Sequence, residues 1–211
     1  MAAAGRVIAG TASGRRLAAP GDGTRPLADR VKQTLFAILE PDLRDAAVLD
    51  LFAGSGAAGI EALSRGALTV TFVECDPVAV RTIEANLRST GLAGPAAVVV
   101  RADVLAWLAA GRPDHAVGGA GRAIAGAAGS SVGPFDIVVV DPPYADTDVL
   151  PNVLERLGAV DGPLAPGARV VSKHFWRDRP PARIGLLASE RERRFGETTL
   201  TFHRRIAGED R

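Results

Sequence analysis

Residues 48–66, VLDLFAGSGAAGIEALSRG, constrain the fold more than any other stretch of the chain. A short apolar run over 46–52 leads into Gly54-Ser55-Gly56-Ala57-Ala58-Gly59, after which Ile60, Leu63 and the alanines recur on one face. That pattern predicts strand, tight glycine turn and helix. Glycine suits the turn because it accepts positive φ and lets a ligand approach the backbone closely. A helix starting near Ala57 would present free N–H groups beside that ligand, so the turn predicts a nucleotide-type cradle.

The remainder of the chain supplies a sheet to carry this turn. Strands are predicted over 68–74, 97–101, 135–140 and 168–174, with helices over 78–89, 103–108 and 149–157 between them, an alternation that gives a mostly parallel sheet with helices on both faces. Asp76-Pro77 and Asp103 stand where helix N-caps belong. Residues 185–205 alternate around Phe195-Gly196-Glu197, as a closing antiparallel hairpin does. Ahead of the first strand, residues 5–19 predict a small β-hairpin, and Leu27, Val31, Leu35, Ile38 and Leu39 predict a helix that ends at Pro41. With 211 residues, 47% of them hydrophobic, the chain can bury one α/β core. The expected organisation is a basic hairpin extension over 1–24 and a main domain over 25–211, with a flexible Gly/Ala/Ser-rich insertion over 111–134.

Net charge is only +1, but residues 1–36 hold Arg6, Arg15, Arg16, Arg25, Arg30 and Lys32 against Asp22 and Asp29. A basic extension on a mildly acidic body fits an arm that contacts phosphates, and equally fits a solvated basic face. A single cysteine, Cys75, excludes an internal disulfide, and three scattered histidines give no zinc spacing, so no metal is expected. No segment approaches the length of a membrane span and the first residues lack a signal-peptide core, which makes a cytoplasmic protein without a membrane partner the expectation.

In an open parallel sheet the ligand lies outside the carboxyl ends of the strands, so the glycine turn, Glu74, Asp103 and Asp141 should converge on one crevice. Gly54-x-Gly56-x-x-Gly59 with Glu74 about 20 residues on also matches a dinucleotide fingerprint, and a nicotinamide-dependent oxidoreductase stands as an alternative. Glu74 can accept from two ribose hydroxyls, and Asp103 can accept an adenine amine while the Val104 N–H faces a ring nitrogen. The deciding feature is Asp141-Pro142-Pro143-Tyr144. Two prolines after a buried strand remove two N–H donors and leave the Asp141 carboxylate and the Pro142 carbonyl as acceptors. A planar amine could donate one hydrogen to each, with Tyr144 stacking on its ring.

Asp50-Leu51-Phe52-Ala53-Gly54-Ser55-Gly56, Val73-Glu74-Cys75-Asp76 and Asp141-Pro142-Pro143-Tyr144 resemble motifs of class I S-adenosylmethionine-dependent amino-methyltransferases. More narrowly, with the RVIAG and GRRL hairpin, the RPLADRVKQTLF helix and the closing FGETTLTFHRR strand, the chain resembles the RsmD-type enzymes that methylate guanine N2 in 16S ribosomal RNA. The resemblance implies a Rossmann-like class I methyltransferase fold, with a C-terminal antiparallel hairpin and the N-terminal β-hairpin as an addition. It implies S-adenosylmethionine as cofactor, with the methionine part against Asp50, Ala53, Gly54, Ser55 and Gly56, the ribose at Glu74, and the adenine at Asp103, Val104 and the apolar wall of Cys75. It implies Asp141, Pro142, Pro143 and Tyr144 as the catalytic set holding the target base. It also implies a monomer acting on RNA within an assembled or assembling small ribosomal subunit, its phosphates gripped by the arginines above and Lys32. Adenine N6 or a glutamine amide fits the acceptor logic as well, because the residues alone do not choose the amine.

Overall fold

The strand-turn-helix forms as the apolar periodicity requires, and each later strand adds to it. In the computed structural model, which describes residues 3–21, 28–110, 134–143 and 147–207, the first elements are β1 (Ala3–Arg6), β2 (Arg16–Ala18), α1 (Asp29–Leu43), β3 (Ala47–Leu51) and α2 (Ala57–Ser64). They are followed by β4 (Thr69–Glu74), α3 (Pro77–Thr90), β5 (Ala97–Arg101), α4 (Val104–Ala109) and β6 (Phe135–Val140). The chain closes with α5 (Val149–Leu157), β7 (Leu164–Phe175), β8 (Arg183–Ile184), β9 (Leu187–Phe195) and β10 (Thr198–Arg205). Arg25, Tyr144 and residues 111–133 of the expected insertion lie outside the described residues.

Eight strands make one sheet in the order β5-β4-β3-β6-β7-β10-β9-β8. The first five are parallel, and β10, β9 and β8 add antiparallel to β7. Chain order reverses between β3 and β6, so the crevice outside their carboxyl ends is where such a sheet takes its ligand. Because side chains alternate across a strand, Val48 packs on one face with Leu35, Phe36, Leu39, Ile60 and Ile83, and Leu49 packs on the other with Val153, Leu154 and Leu157 of α5. Gly59 serves this packing: a Cβ there would lie 2.3 Å from Phe72 Cε1.

Two elements extend beyond their expected ends. α1 runs through Pro41 to Leu43, because Leu43 is buried in the core and the turn waits for Asp45, which takes φ 61°. β7 begins at Leu164, which pairs with Phe135 across a register irregularity, and it is followed by the short β8, which the sequence did not predict.

The N-terminal hairpin is built into the core. Val7, Ala12, Leu17 and Ala19 are buried among residues of α1 and α2. The Ile8 and Ala9 N–H groups donate to the Glu61 carboxylate at 2.7 and 3.0 Å, and Ala12 N–H donates to Ser64 Oγ at 2.9 Å. Asn86 of α3 receives Ala18 N–H on Oδ1 and donates through Nδ2 to the carbonyls of Ala18 and Ser55, tying hairpin to glycine turn. Removing residues 1–20 would therefore unmask core and leave Glu61 without two donors, so truncation does not isolate an RNA-binding arm. Among the described residues no helix is long and apolar enough to cross a membrane.

Candidate active site

β3 ends in a sharp change of direction that begins one residue before the glycines: Phe52 has φ 58°, Gly54 φ 54° and Gly56 φ 76°. A bulky residue in this region is strained, and the surrounding bonds hold it there. Ala53 N–H reaches Val73 O at 3.2 Å on β4, and Gly56 N–H closes the turn on Ala53 O at 2.7 Å. Gly56 caps α2 with no side-chain acceptor of its own. Asp50, one strand length back, supplies it: Oδ2 accepts the Gly59 N–H at 2.8 Å, satisfying one of the orphan donors of the first turn.

Glu74 braces the turn from the neighbouring strand. Its Oε2 accepts Gly54 N–H at 2.8 Å and its Oε1 accepts Asp76 N–H at 2.9 Å, fixing the β3 and β4 turns to each other. Each carboxylate oxygen has the capacity to accept a further hydrogen bond. Asp76 caps α3 by accepting from Val78 N–H, and Asp103 caps α4 by accepting from Ala106 N–H, both at 2.8 Å. Asp103 is exposed, whereas Val104 is buried. Cys75 is exposed, and partial burial followed by the neighbouring Glu74 carboxylate pushes its thiol up, away from the thiolate a nucleophile requires.

Asp141 leaves β6 beside the turn, its N–H toward Leu51 O at 3.4 Å. Lys173, on β7 next to it, places Nζ 2.5 Å from Asp141 Oδ1. Burial raises the Asp141 pKa, and the Lys173 ammonium opposes that rise. Pro142 is buried and Pro143 exposed; together with Leu150, Lys173, Phe175 and Asp178 they line a cavity of about 240 Å³ alongside the carboxylate. Lys173 was not foreseen, although the register that sets Val140 opposite Ser172 puts it level with Asp141.

Asp50, Glu74 and Asp141 thus gather around one glycine turn. The Asp50 carboxyl is pushed up to about 8, first by burial and then by the Asp141 and Glu74 charges, with the Gly59 hydrogen bond opposing. Folded Asp50 therefore holds a proton that the unfolded chain, with an ordinary carboxylate pKa of about 4, releases. Stability should fall as pH rises between those two values and level off above about 8. Asp50→Asn, which keeps an oxygen for Gly59 N–H, is expected to flatten that fall when urea midpoints are measured from roughly pH 5 to 8; a slope equal to wild type would assign the titration elsewhere.

Of the six basic residues expected to hold RNA, the five that the structure describes separate. Arg6, Arg15, Arg16 and Arg30 are exposed, Arg6 with Nε 3.4 Å from Asp29 and Arg15 donating to Ser89 O at 2.8 Å. Lys32 does not contact RNA. It is 0% exposed, its Nζ donates to Arg6 O and lies 3.7 Å from Glu61 Oε2, and burial lowers its pKa. Its place on the Val31–Leu35–Leu39 side of α1 is one the core covers. No cluster of metal-binding side chains occurs among the described residues.

A parallel sheet reversing at a glycine turn, with an antiparallel strand inserted beside β7, is the Rossmann-like fold of class I methyltransferases. The Bacillus subtilis protein YlbH is 33% identical over 201 residues, covering 95% of this chain and 98% of its own. Ribosomal RNA small subunit methyltransferase D of Escherichia coli K12 is 39% identical over 140 residues, which are 66% of this chain and 60% of that protein. A solved Escherichia coli chain, yhhF, superposes with a TM-score of 0.78 at 30% identity, covering 97% of this chain and 99% of its own. The family model described as Conserved hypothetical protein 95 matches residues 5–118 and 119–204. The chain belongs to that family, the RsmD family.

Proposed function

We propose that the protein transfers a methyl group from S-adenosylmethionine to the exocyclic N2 amine of a guanine in small-subunit ribosomal RNA. The observation that carries this reading is the gathering of Asp50, Glu74 and Asp141 around the Gly54–Gly56 bend. The N–H groups of Gly54, Gly56 and Gly59 are already taken by Glu74, Ala53 O and Asp50, so they are not free to bind the pyrophosphate of a dinucleotide, which counts against the oxidoreductase alternative. The cofactor, when bound, supplies an electrophilic methyl group and leaves as S-adenosylhomocysteine.

The residues divide the remaining work. Ala53, Gly54, Ser55 and Gly56 form the wall for the methionine part, Glu74 accepts from ribose hydroxyls, and Asp103, Val104 and Cys75 border the adenine. Asp50 acts one layer below by holding α2 to the turn. Guanine N2 is a poor nucleophile because its lone pair is delocalised into the ring. Asp141 and the Pro142 carbonyl each accept one of its hydrogens, which favours a pyramidal nitrogen with its lone pair toward the glycine turn, and Tyr144 stacks on the base. Orientation and exclusion of water provide most of the acceleration. Once the nitrogen is alkylated it is strongly acidic, and Asp141 Oδ2 takes the proton while Lys173 holds Oδ1. The target base is unpaired or everted, since a stacked, paired amine cannot enter such a site.

Incubation with labelled S-adenosylmethionine and unmodified small subunits, followed by nucleoside analysis, is expected to yield N2-methylguanosine. Label in N6-methyladenosine would move the proposal to adenine, and absence of label from both subunits and their naked RNA would remove it.

A further inference from the structure

Arg15, one of the basic residues that the sequence placed on the N-terminal hairpin, reaches away from the reaction. The hairpin turn docks on Ser64 and Arg15 on Ser89, at the carboxyl ends of α2 and α3. At about 1.5 Å per residue, these ends lie roughly 12 and 18 Å along their helices from the edge of the sheet that holds the site. A different cationic group stands at that edge. β7 runs parallel to β6, so its carboxyl end shares the edge with Asp141. Trp176 follows β7, three residues beyond Lys173 and therefore about 10 Å further along the extended chain. Its backbone N–H donates to Glu197 O at 2.9 Å, fixing the main chain there against the β9–β10 turn.

On this indole rest two guanidinium groups, Arg177 at 4.9 Å and Arg194 at 4.2 Å from the ring centroid. Both arginines are exposed, and among the described residues neither forms an ion pair; Arg194 only donates Nε to Gly196 O at 2.8 Å. Arg179 and Arg204 are matched by Glu192 and Glu190, each at 2.6 Å, whereas Arg191 and Arg193 are, like Arg177 and Arg194, exposed and without an ion pair among the described residues; what sets Arg177 and Arg194 apart is the shared indole. Two like charges gathered on one aromatic ring without a carboxylate repel each other, and the indole faces offset that repulsion only in part.

We infer that Arg177 and Arg194, held on Trp176, form a phosphate clamp for the RNA backbone beside the base that enters the Asp141 site. A guanidinium fork suits phosphate oxygens, and an indole that restrains both forks lowers the entropy lost on binding. The distance of about 10 Å from the Lys173 level corresponds to one or two nucleotides of extended strand, so the clamp positions the target without reading its sequence. This inference rests on the RNA methyltransferase reading of the site.

The test uses the full chain with Arg177→Gln and Arg194→Gln together, and separately Trp176→Ala, against unmodified small subunits and their RNA. Losing two phosphate contacts is expected to weaken binding at least about tenfold near 100 mM salt and to reduce the slope of log affinity against log salt by about 1.4. KM for the subunit should rise by a similar factor while kcat and S-adenosylmethionine affinity stay unchanged. Trp176→Ala should weaken binding with the wild-type salt slope, because the charges remain and only their arrangement is lost. A double variant that binds RNA with the wild-type affinity and slope would overturn the clamp. Failure of the wild-type protein to bind or methylate the RNA at all would instead overturn the function on which it rests.

Discussion

Asp141→Ala is expected to lower the rate of methyl transfer to small subunits by about a thousandfold or more, with cofactor affinity held within about twofold of wild type. The size follows from the two roles proposed for Asp141, lost together: one of the two acceptors that orient the amine, and the base that removes its proton. Cofactor affinity survives because the braces of the glycine turn, Glu74 on Gly54 and Asp50 on Gly59, do not involve Asp141. Asp141→Asn separates the roles. Its amide oxygen still accepts a hydrogen from the amine but takes no proton, so its rate should fall between wild type and alanine. Single-turnover rates with saturating cofactor, alongside calorimetric titration of cofactor, measure both quantities. An alanine variant retaining more than about a tenth of the wild-type rate would exclude Asp141 from the chemistry.

The pH dependence of the same reaction has a defined sign. Asp141 must be ionised to accept, and burial holds its pKa above the ordinary carboxylate value, so the rate should fall as pH drops through that raised pKa. Lys173 opposes the rise. Lys173→Met removes that opposition, and the acid limb of the rate profile should move to higher pH while the plateau changes less than in Asp141→Asn.

The part of this site that local pattern encodes was legible before the structure. The glycine turn, the Asp76 and Asp103 caps and the strand bearing Asp141 each depend on residues within a few positions of one another, and periodicity with capping chemistry is sufficient to place them. Lys32 shows where charge alone misleads. It follows Val31 and stands three residues before Leu35, within reach of the buried stripe, so helical spacing already carried the warning that counting basic residues overrode. Lys173, Trp176 and Arg194 were illegible for a different reason. Their neighbours come from sheet register: Lys173 is level with Asp141 across β6 and β7, and Arg194 is level with His174 only through Thr199 of β10. The antiparallel insertion of β10 between β7 and β9 sets that relation, and no short stretch of sequence contains it. Phe52 is a further instance, since the positive φ that begins the turn falls on a residue whose type argues against it.

The largest loss of stability should come from Glu61, which lies outside the reaction altogether. α2 is buried on every side, so a carboxylate within it is tolerable only when fully matched. Glu61, 0% exposed, accepts Ile8 N–H, Ala9 N–H and Arg65 Nε, and faces the Lys32 ammonium, itself 0% exposed. Arg65 continues the chain to Glu40 at 2.6 Å. Breaking a buried pair from one side costs about 3–5 kcal/mol, because the partner charge remains where water cannot reach it. Two hairpin N–H groups left unsatisfied add to that cost. Glu61→Ala is therefore expected to lower unfolding free energy by about 4 kcal/mol or more, which for a chain of this size corresponds to roughly 8–16 °C in Tm. Lys32→Met combined with Glu61→Gln removes both charges, keeps an acceptor for the hairpin, and should recover more than half of that loss. Urea unfolding of the three chains decides the matter. A loss below about 1 kcal/mol in Glu61→Ala would mean that water enters beneath the hairpin and solvates Lys32, and the hairpin would then be held by Val7, Leu17 and their apolar neighbours with the Ser64 and Asn86 hydrogen bonds.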